Sequence, residues 1–263
     1  MRKILQKFNS LQLFFIIFFG SFFTFLIILS IPSLFDYKKL VDKIEKEVES
    51  DFGLNLSNIS KINYRFVPSP HLVVDELELR LDSDQKNFIA KPRNTKIYIP
   101  FFNLYSNKKI QVNKIIMQNV NFNFDKESLN QFMNHMIKEK NKELVINKSK
   151  FFFTNKNNQV STISILNKVS YFANVKSNQK KLKISGNLFA TDFNFNWNMD
   201  LNNPKLTSFA LNFKKPNLLF ENKLNTSNNE NKIGNLKTIY LNNKIDTDYF
   251  YNKDRIKFES KKY

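Results

Sequence analysis

From Leu11 to Leu34 the chain reads LQLFFIIFFGSFFTFLIILSIPSL, and no charged residue occurs between Phe8 and Phe35. Nothing else in the sequence limits the fold as strongly. A hydrocarbon core of ~30 Å takes ~20 helical residues, so the stretch is long enough to cross a bilayer with some tilt. A secretory signal also starts with basic residues, as Arg2, Lys3 and Lys7 do here, but its apolar part runs only ~7–15 residues before a small-x-small cleavage site. The run here is longer, and SIPSLFDY offers no good site of that kind. A helix that is apolar on every side would also be unusual inside a soluble domain of this size. We read residues 11–34 as an uncleaved anchor, with everything after it on one side of a membrane.

Three basic residues and no acid precede the span, whereas DYKKLVDKIEKEVES after it mixes four Lys with five acidic residues. Basic residues near helix ends favour the cytoplasmic side, and acids count for little. Residues 1–10 are too short to form a translocated domain and are expected in the cytoplasm. The bulk of the chain is then expected in the periplasm, with the anchor in a bacterial inner membrane. Cysteine is absent, which removes disulfides, thiolate metal sites and cysteine nucleophiles but is neutral on compartment.

Of the formal net charge of +18, +15 remains for residues 36–263 once the three basic residues ahead of the span are set aside. Such an excess suits anionic partners, nucleic acid or acidic lipid head groups. However, Lys, Asn, Ile and Phe are abundant together while Arg, Gly, Ala and Pro are scarce, the bias that AT-rich codons give any protein. No RNP-like, zinc-finger or helix-turn-helix pattern accompanies the charge, so no nucleic-acid partner is read from it.

After the span, residues 36–53 read as a short amphipathic helix. Leu40, Ile44 and Val48 recur every four residues with Val41 beside them, and Gly53 suits the left-handed position that ends it. It either packs on the following sheet or lies along the membrane surface. From Ile62 the apolar period falls to two. Val73, Leu77, Leu79 and Leu81 share one face of a strand, Ile97, Ile99 and Phe101 another, and Val120, Phe122 and Phe124 a third. Leu129, Phe132, Met133, Met136 and Ile137 restore helical spacing over residues 126–142, with Asp125 as N-cap. The remainder is strand and turn. Phe193, Phe195, Trp197, Met199 and Leu201 alternate with Asn194, Asn196, Asn198 and Asp200. Then come Phe209/Leu211/Phe213, Ile239/Leu241, Tyr249/Tyr251 and Ile256/Phe258, separated by turn sequences such as KSNQKK, NNPK and KKPN. The predicted fold is mainly β, an antiparallel meander over 62–263 with two short helices and an N-terminal transmembrane helix. Glycine is scarce in the strands, which disfavours a tightly curled small barrel.

Taken together, the span, the helix ending in FG, INYRFVPSPHLVVDELEL at Ile62–Leu79 and KIYIPFFNLYSNKKIQVNKIIMQNVNFNF at Lys96–Phe124 resemble the N-terminal region of AsmA-like envelope proteins. The likeness lies in a Pro-rich corner at Pro68–Pro70 and in the cadence Leu104, Ile110, Val112, Ile115, Met117, Phe122 and Phe124. It covers about residues 10–125, and it departs from the family where Tyr-Ser-Asn-Lys follows Leu104 in place of a small residue. The resemblance implies an elongated β-groove, a curled antiparallel sheet whose concave apolar face carries lipid acyl chains. The groove candidates are Phe122, Phe124, Phe193, Phe195, Trp197 and Met199, continued by Phe209, Leu211 and Phe213. The implied partners are membrane phospholipid and the inner membrane, with other envelope proteins or a second copy at the distal end. An LptC-like lipopolysaccharide-transport component, with a span and a β-jelly roll, is an alternative layout, as is a closed β-scaffold that recruits partners.

No sequence pattern suggests catalysis. HExxH, GxSxG, Walker A and GxGxxG are absent. His71 in the Pro-rich corner and His135 on the second helix are far apart in the chain, and Asp75 and Glu76 read as a solvated strand face. No enzyme activity, metal or cofactor is expected.

Overall fold

The computed structural model describes all residues except 1–8, 36, 82–87, 106–110, 139–141, 156, 158, 175–176, 228–231, 242, 253–254 and 261–263. The expected cytoplasmic segment 1–10 and the cadence position Ile110 therefore fall largely or wholly outside the described residues.

The apolar run forms helix α1, Ser10–Ser30, extended by a 3-10 turn at Ile31–Leu34. Its 21 residues rise ~31 Å, the thickness of a bilayer core. Over Ser10–Leu34 the mean hydropathy reaches 2.6 and none of that window is buried in the protein. The hydroxyls of Thr24 and Ser30 donate to the carbonyls of Gly20 and Leu26, each at 2.8 Å, so both are satisfied within the helix.

A 3-10 turn at Tyr37–Leu40 leads into α2, Val41–Phe52. Ile44, Val48 and Phe52 form its buried stripe and join the hydrophobic core. The alternative of a helix lying on the membrane surface is thereby corrected. Gly53 closes the helix at φ 58, its N–H donating to the Glu49 carbonyl at 3.0 Å.

Sixteen strands follow among the described residues, fourteen of them in one sheet. In chain order the first seven are β1 Asn55–Ser57, β2 Ile62–Arg65, β3 His71–Glu76, β4 Glu78–Arg80, β5 Arg93–Tyr98, β6 Lys114–Gln118 and β7 Asn121–Phe124. A single turn α3, Phe101–Leu104, lies between β5 and β6, and α4, Lys126–Lys138, follows β7. Then β8 Lys142–Thr154, β9 Val160–Asn174, β10 Gln179–Leu188 and β11 Thr191–Asp200 are the long central strands. The remainder are β12 Leu206–Phe213, β13 Leu218–Asn225, β14 Lys232–Tyr240, β15 Asn243–Tyr251 and β16 Ile256–Ser260. From β8 to β16 each strand pairs antiparallel with the next, as the turn sequences predict. Among the described residues no sheet closes on itself.

Three features depart from the expected plain meander. First, β8 runs parallel to both β6 and β7. Parallel neighbours need a crossover, usually helical, so α4 is the connection of a βαβ unit rather than an insertion. It ends earlier than expected, because Lys142 already belongs to β8. Secondly, β6 and β7 occupy the two halves of one edge of β8, so the sheet forks there. One branch is β6-β5-β3-β2, and the other runs from β7 through Ala90 to the β4-β1 pair. The strand expected over 73–81 is consequently two strands, one in each branch. The core of α2 and the first strands sits at this fork. Thirdly, a crease crosses the sheet. Asn119 and Lys148 adopt φ 56 and 48, the β8–β9 ladder skips Lys148 and Asn167, and the β9–β10 register shifts at Ser185/Gly186. Irregularities of this kind bend and twist strands. At Gly186 a side chain would collide with the Ile165 carbonyl.

Burial divides the molecule. Along the chain Leu182 is the last buried apolar side chain among the described residues. In strands β11–β16 the described side chains are half-buried or exposed apart from Asn222, with Phe193, Phe195 and Trp197 of β11 packed against the edge of the core.

Candidate functional site

Register decides which candidate residues share a face. Trp197 is paired with Leu182, Leu182 with Tyr171, and Tyr171 with Leu144. Phe195 leads likewise through Ile184 and Val169 to Ile146. Going outward, Trp197, Phe195 and Phe193 face Phe209, Leu211 and Phe213. The alternation read from the sequence therefore places six candidates on one apolar face.

Helix α4 lies across that face. Asp125 caps it: its carboxylate accepts the Ser128 N–H and hydroxyl, both at 2.7 Å, while Ser128 Oγ accepts the Asp125 N–H at 2.9 Å. These bonds hold the Asp125 carboxyl below its ordinary pKa, the Ser128 N–H first. Between the helix and β8–β11 is a cavity of about 400 Å³. Leu129, Phe132 and Met133 form its roof, Leu144, Phe151, Leu166, Val169, Leu182 and Ile184 line its floor, and Phe193, Phe195 and Trp197 its outer side. No formally charged side chain is among the described residues that line it. The Ser164 hydroxyl in its wall donates to the Asn187 carbonyl at 3.2 Å.

The nine candidates thus separate. Phe193, Phe195 and Trp197 line the cavity. Phe209 and Phe213 continue the apolar face, their rings 6.0 Å from Phe195 and 6.3 Å from Phe193, and Leu211 lies between them. Met199 has the same strand parity but lies opposite Lys180 and Thr207, outside the cavity, and lines a separate cleft of about 650 Å³. Phe122 and Phe124 are not groove-lining: both are buried in the core, with Phe151 at 4.8 and 5.4 Å and Phe132 at 5.5 Å from Phe124. Ile239, grouped above with the apolar set of its strand, pairs with Leu219 and Lys244 on the opposite face.

The sequence reading missed the cavity contributions of β8 and β9. Lys148 and Asn167 interrupt both strands, so the inward set changes parity: Leu144 before the break and Phe151 after it in β8, Val169 and Leu166 in β9. A strict period of two cannot join the two halves. Splitting each strand at the break, NKSK in β8, would have exposed the pattern.

The opposite face is lined by Asn194, Asn196, Lys181 and Lys183 and holds two clefts of about 760 and 650 Å³. Its Ser, Asn and Ala side chains fill less space than the aromatic rings across the sheet. Polar and apolar side chains share these larger hollows: Phe172, Ala210 and Leu219 stand among Lys, Ser and Asn in one, and Met199, Leu206, Leu224 and Ile233 among Lys, Asn and Asp in the other. His71 is buried against Tyr98, ring centroids 5.0 Å apart, with Nδ1 at 2.6 Å from the Ser69 carbonyl. The His135 side chain lies outside the described residues. Among the described residues no group of three or more His, Asp or Glu could hold a metal ion. Comparison with models of protein families, with curated proteins and with solved structures finds no match.

Proposed function

We propose that this is a membrane-anchored lipid-binding protein that takes an acyl chain of a phospholipid into the cavity beneath α4 and along the apolar face of β11–β13. The observation that carries the reading is a cavity walled by Leu, Val, Ile and Phe that continues onto an apolar face no further layer buries. Its volume lies within the ~300–1,000 Å³ common for small-molecule sites. Burial of each methylene contributes ~0.8 kcal/mol, so such a surface holds a lipid tail without directional contacts. Among its described lining residues only Ser164, Tyr171 and Trp197 carry a side-chain O–H or N–H, and the Ser164 hydroxyl is engaged by the Asn187 carbonyl, which suits the holding of an acyl chain. The span at Ser10–Leu34 keeps the site near a lipid source, and the AsmA-like pattern of residues 10–125 favours the periplasmic side of an inner membrane and a part in outer-membrane assembly.

The main sheet, thirteen strands along its path, extends about 58 Å at ~4.8 Å per spacing. We read it as one segment of a lipid route that hands its cargo to an envelope partner or a second copy. The test is native mass spectrometry of the full chain released from lipid nanodiscs. Retention of phospholipid is the expected result. Retention of lipopolysaccharide instead would favour an LptC-like role, and absence of any acyl lipid would overturn the proposal in favour of a scaffold.

A further inference from the structure

Helix α1 is fastened to the sheet by tyrosines. The Tyr64 and Tyr105 hydroxyls donate to the carbonyls of Leu29 and Ile28 at 3.0 and 2.6 Å, and the Tyr37 hydroxyl donates to Pro32 O at 2.6 Å. Carbonyls at the end of a helix lack a full set of partners within it; here the Tyr64 hydroxyl reaches Leu29 O, and the Tyr105 hydroxyl adds to the Ile31 N–H already at Ile28 O. The rings lock together: Tyr37 stacks on Tyr64 at 6.4 Å, and Phe35 meets Tyr105 edge-on at 5.8 Å. Burial raises the Tyr37 and Tyr64 hydroxyl pKa values above the ordinary range, so both remain donors at any physiological pH. Tyrosine is enriched where hydrocarbon gives way to head groups, which puts this end of the sheet at that level.

The same end carries exposed apolar side chains. Val67 lies in the β2–β3 turn and Phe102 in α3. Arg65 pairs with His71 and Leu72 with Ile97, which brings the turn beside the end of β5, two residues before α3. Leu34, Phe102 and Val67 are 85%, 83% and 67% exposed. Apolar residues protrude elsewhere, but here they gather around the exit of an apolar helix.

We infer that Leu34, Val67 and Phe102, beside Tyr105, form a foot that dips into the interfacial layer of the bilayer α1 crosses. This rests on reading α1 as a span. The foot gives the domain a second membrane contact, so that the tyrosine-fastened sheet stands at a fixed height and the cavity keeps a constant distance from the lipid surface. Its occupant is the bilayer itself, because the patch is continuous with the helix that enters it.

The absence of cysteine makes the test direct. Phe18→Cys, Val67→Cys, Phe102→Cys and Phe189→Cys are each labelled with a nitrobenzoxadiazole probe. The full chain is reconstituted into phosphatidylcholine–phosphatidylglycerol vesicles with or without lipid doxyl-labelled near the head group. Position 18 reports the span, and position 189, 75% exposed in the β10–β11 turn at the opposite end of the strands, reports solvent. Quenching at 67 and 102 several-fold above that at 189 is expected. Quenching at 18 with 67 and 102 equal to 189 overturns the foot alone. Absence of quenching at 18 overturns the span and the foot together.

Discussion

Phe124 and Phe195 were read from the sequence as equivalent, and their environments make them opposites. Phe124 is enclosed by Phe122, Phe132 and Phe151, so Phe124→Ala leaves a void in the core and should cost ~3–5 kcal/mol. At ~2–4 °C per kcal/mol for a chain of this size, the melting midpoint should fall by roughly 6–20 °C. Phe195 is only partly buried on the cavity wall. A Phe side chain offers ~200 Å², and a ligand that covers about a quarter of it takes ~50 Å² out of water. At ~25 cal/mol per Å² that area is worth ~1.3 kcal/mol, so Phe195→Ala should weaken lipid binding about tenfold. The same change should cost ~2 kcal/mol of stability, well below that of Phe124→Ala. Thermal melts of both variants, with phospholipid occupancy titrated by native mass spectrometry, separate the two effects. Equal loss of melting temperature with an unchanged occupancy curve for Phe195→Ala would refute the argument and make the face an ordinary core.

Two smaller perturbations test the elements around the site. Asp125→Ala removes the cap of α4 and should cost ~1 kcal/mol; because hydrogen bonds from Ser128 depress the carboxyl pKa, the native cap stabilises above the ordinary carboxylate range and is lost as pH falls through the lowered value. Protection factors across α4, with the intrinsic pH dependence of amide exchange divided out, should therefore fall in acid for the native chain and change less for the variant; equal acid sensitivity would remove the cap from the account. A Cβ at Gly234 would run into the Tyr249 ring, whose hydroxyl donates to Asn222 Oδ1 at 3.0 Å, so Gly234→Ala should increase exchange in β13–β15 and leave α2 and β3 unchanged.

Much of the fold is written in local pattern. The apolar run, the four-residue repeat of Leu40, Ile44 and Val48 ended by Gly53, and the alternation of Phe193, Phe195 and Trp197 each reflect a helical or pleated period that short stretches display. The crease leaves a local trace, the change of parity from Leu144 to Phe151 across Lys148. The fork at β8 depends on which distant strands meet, and periodicity carries no such information. Phe122 and Phe124 show the consequence: their alternation announces a strand correctly, but only the fork and α4 determine that their inward face is sealed. The cavity likewise depends on a crossover helix landing on the sheet, and the same Leu129, Phe132 and Met133 spacing would suit any packed helix.

The central claim is that an acyl chain enters the space beneath α4, and the chain's sole tryptophan stands in its wall. Fluorescence of Trp197 should therefore report occupancy directly when the full chain is reconstituted into vesicles whose phospholipids carry brominated acyl chains. The account predicts strong quenching at Trp197, relieved when unbrominated phospholipid is added in excess and weakened in Phe195→Ala. Emission identical in brominated and unbrominated vesicles would contradict it.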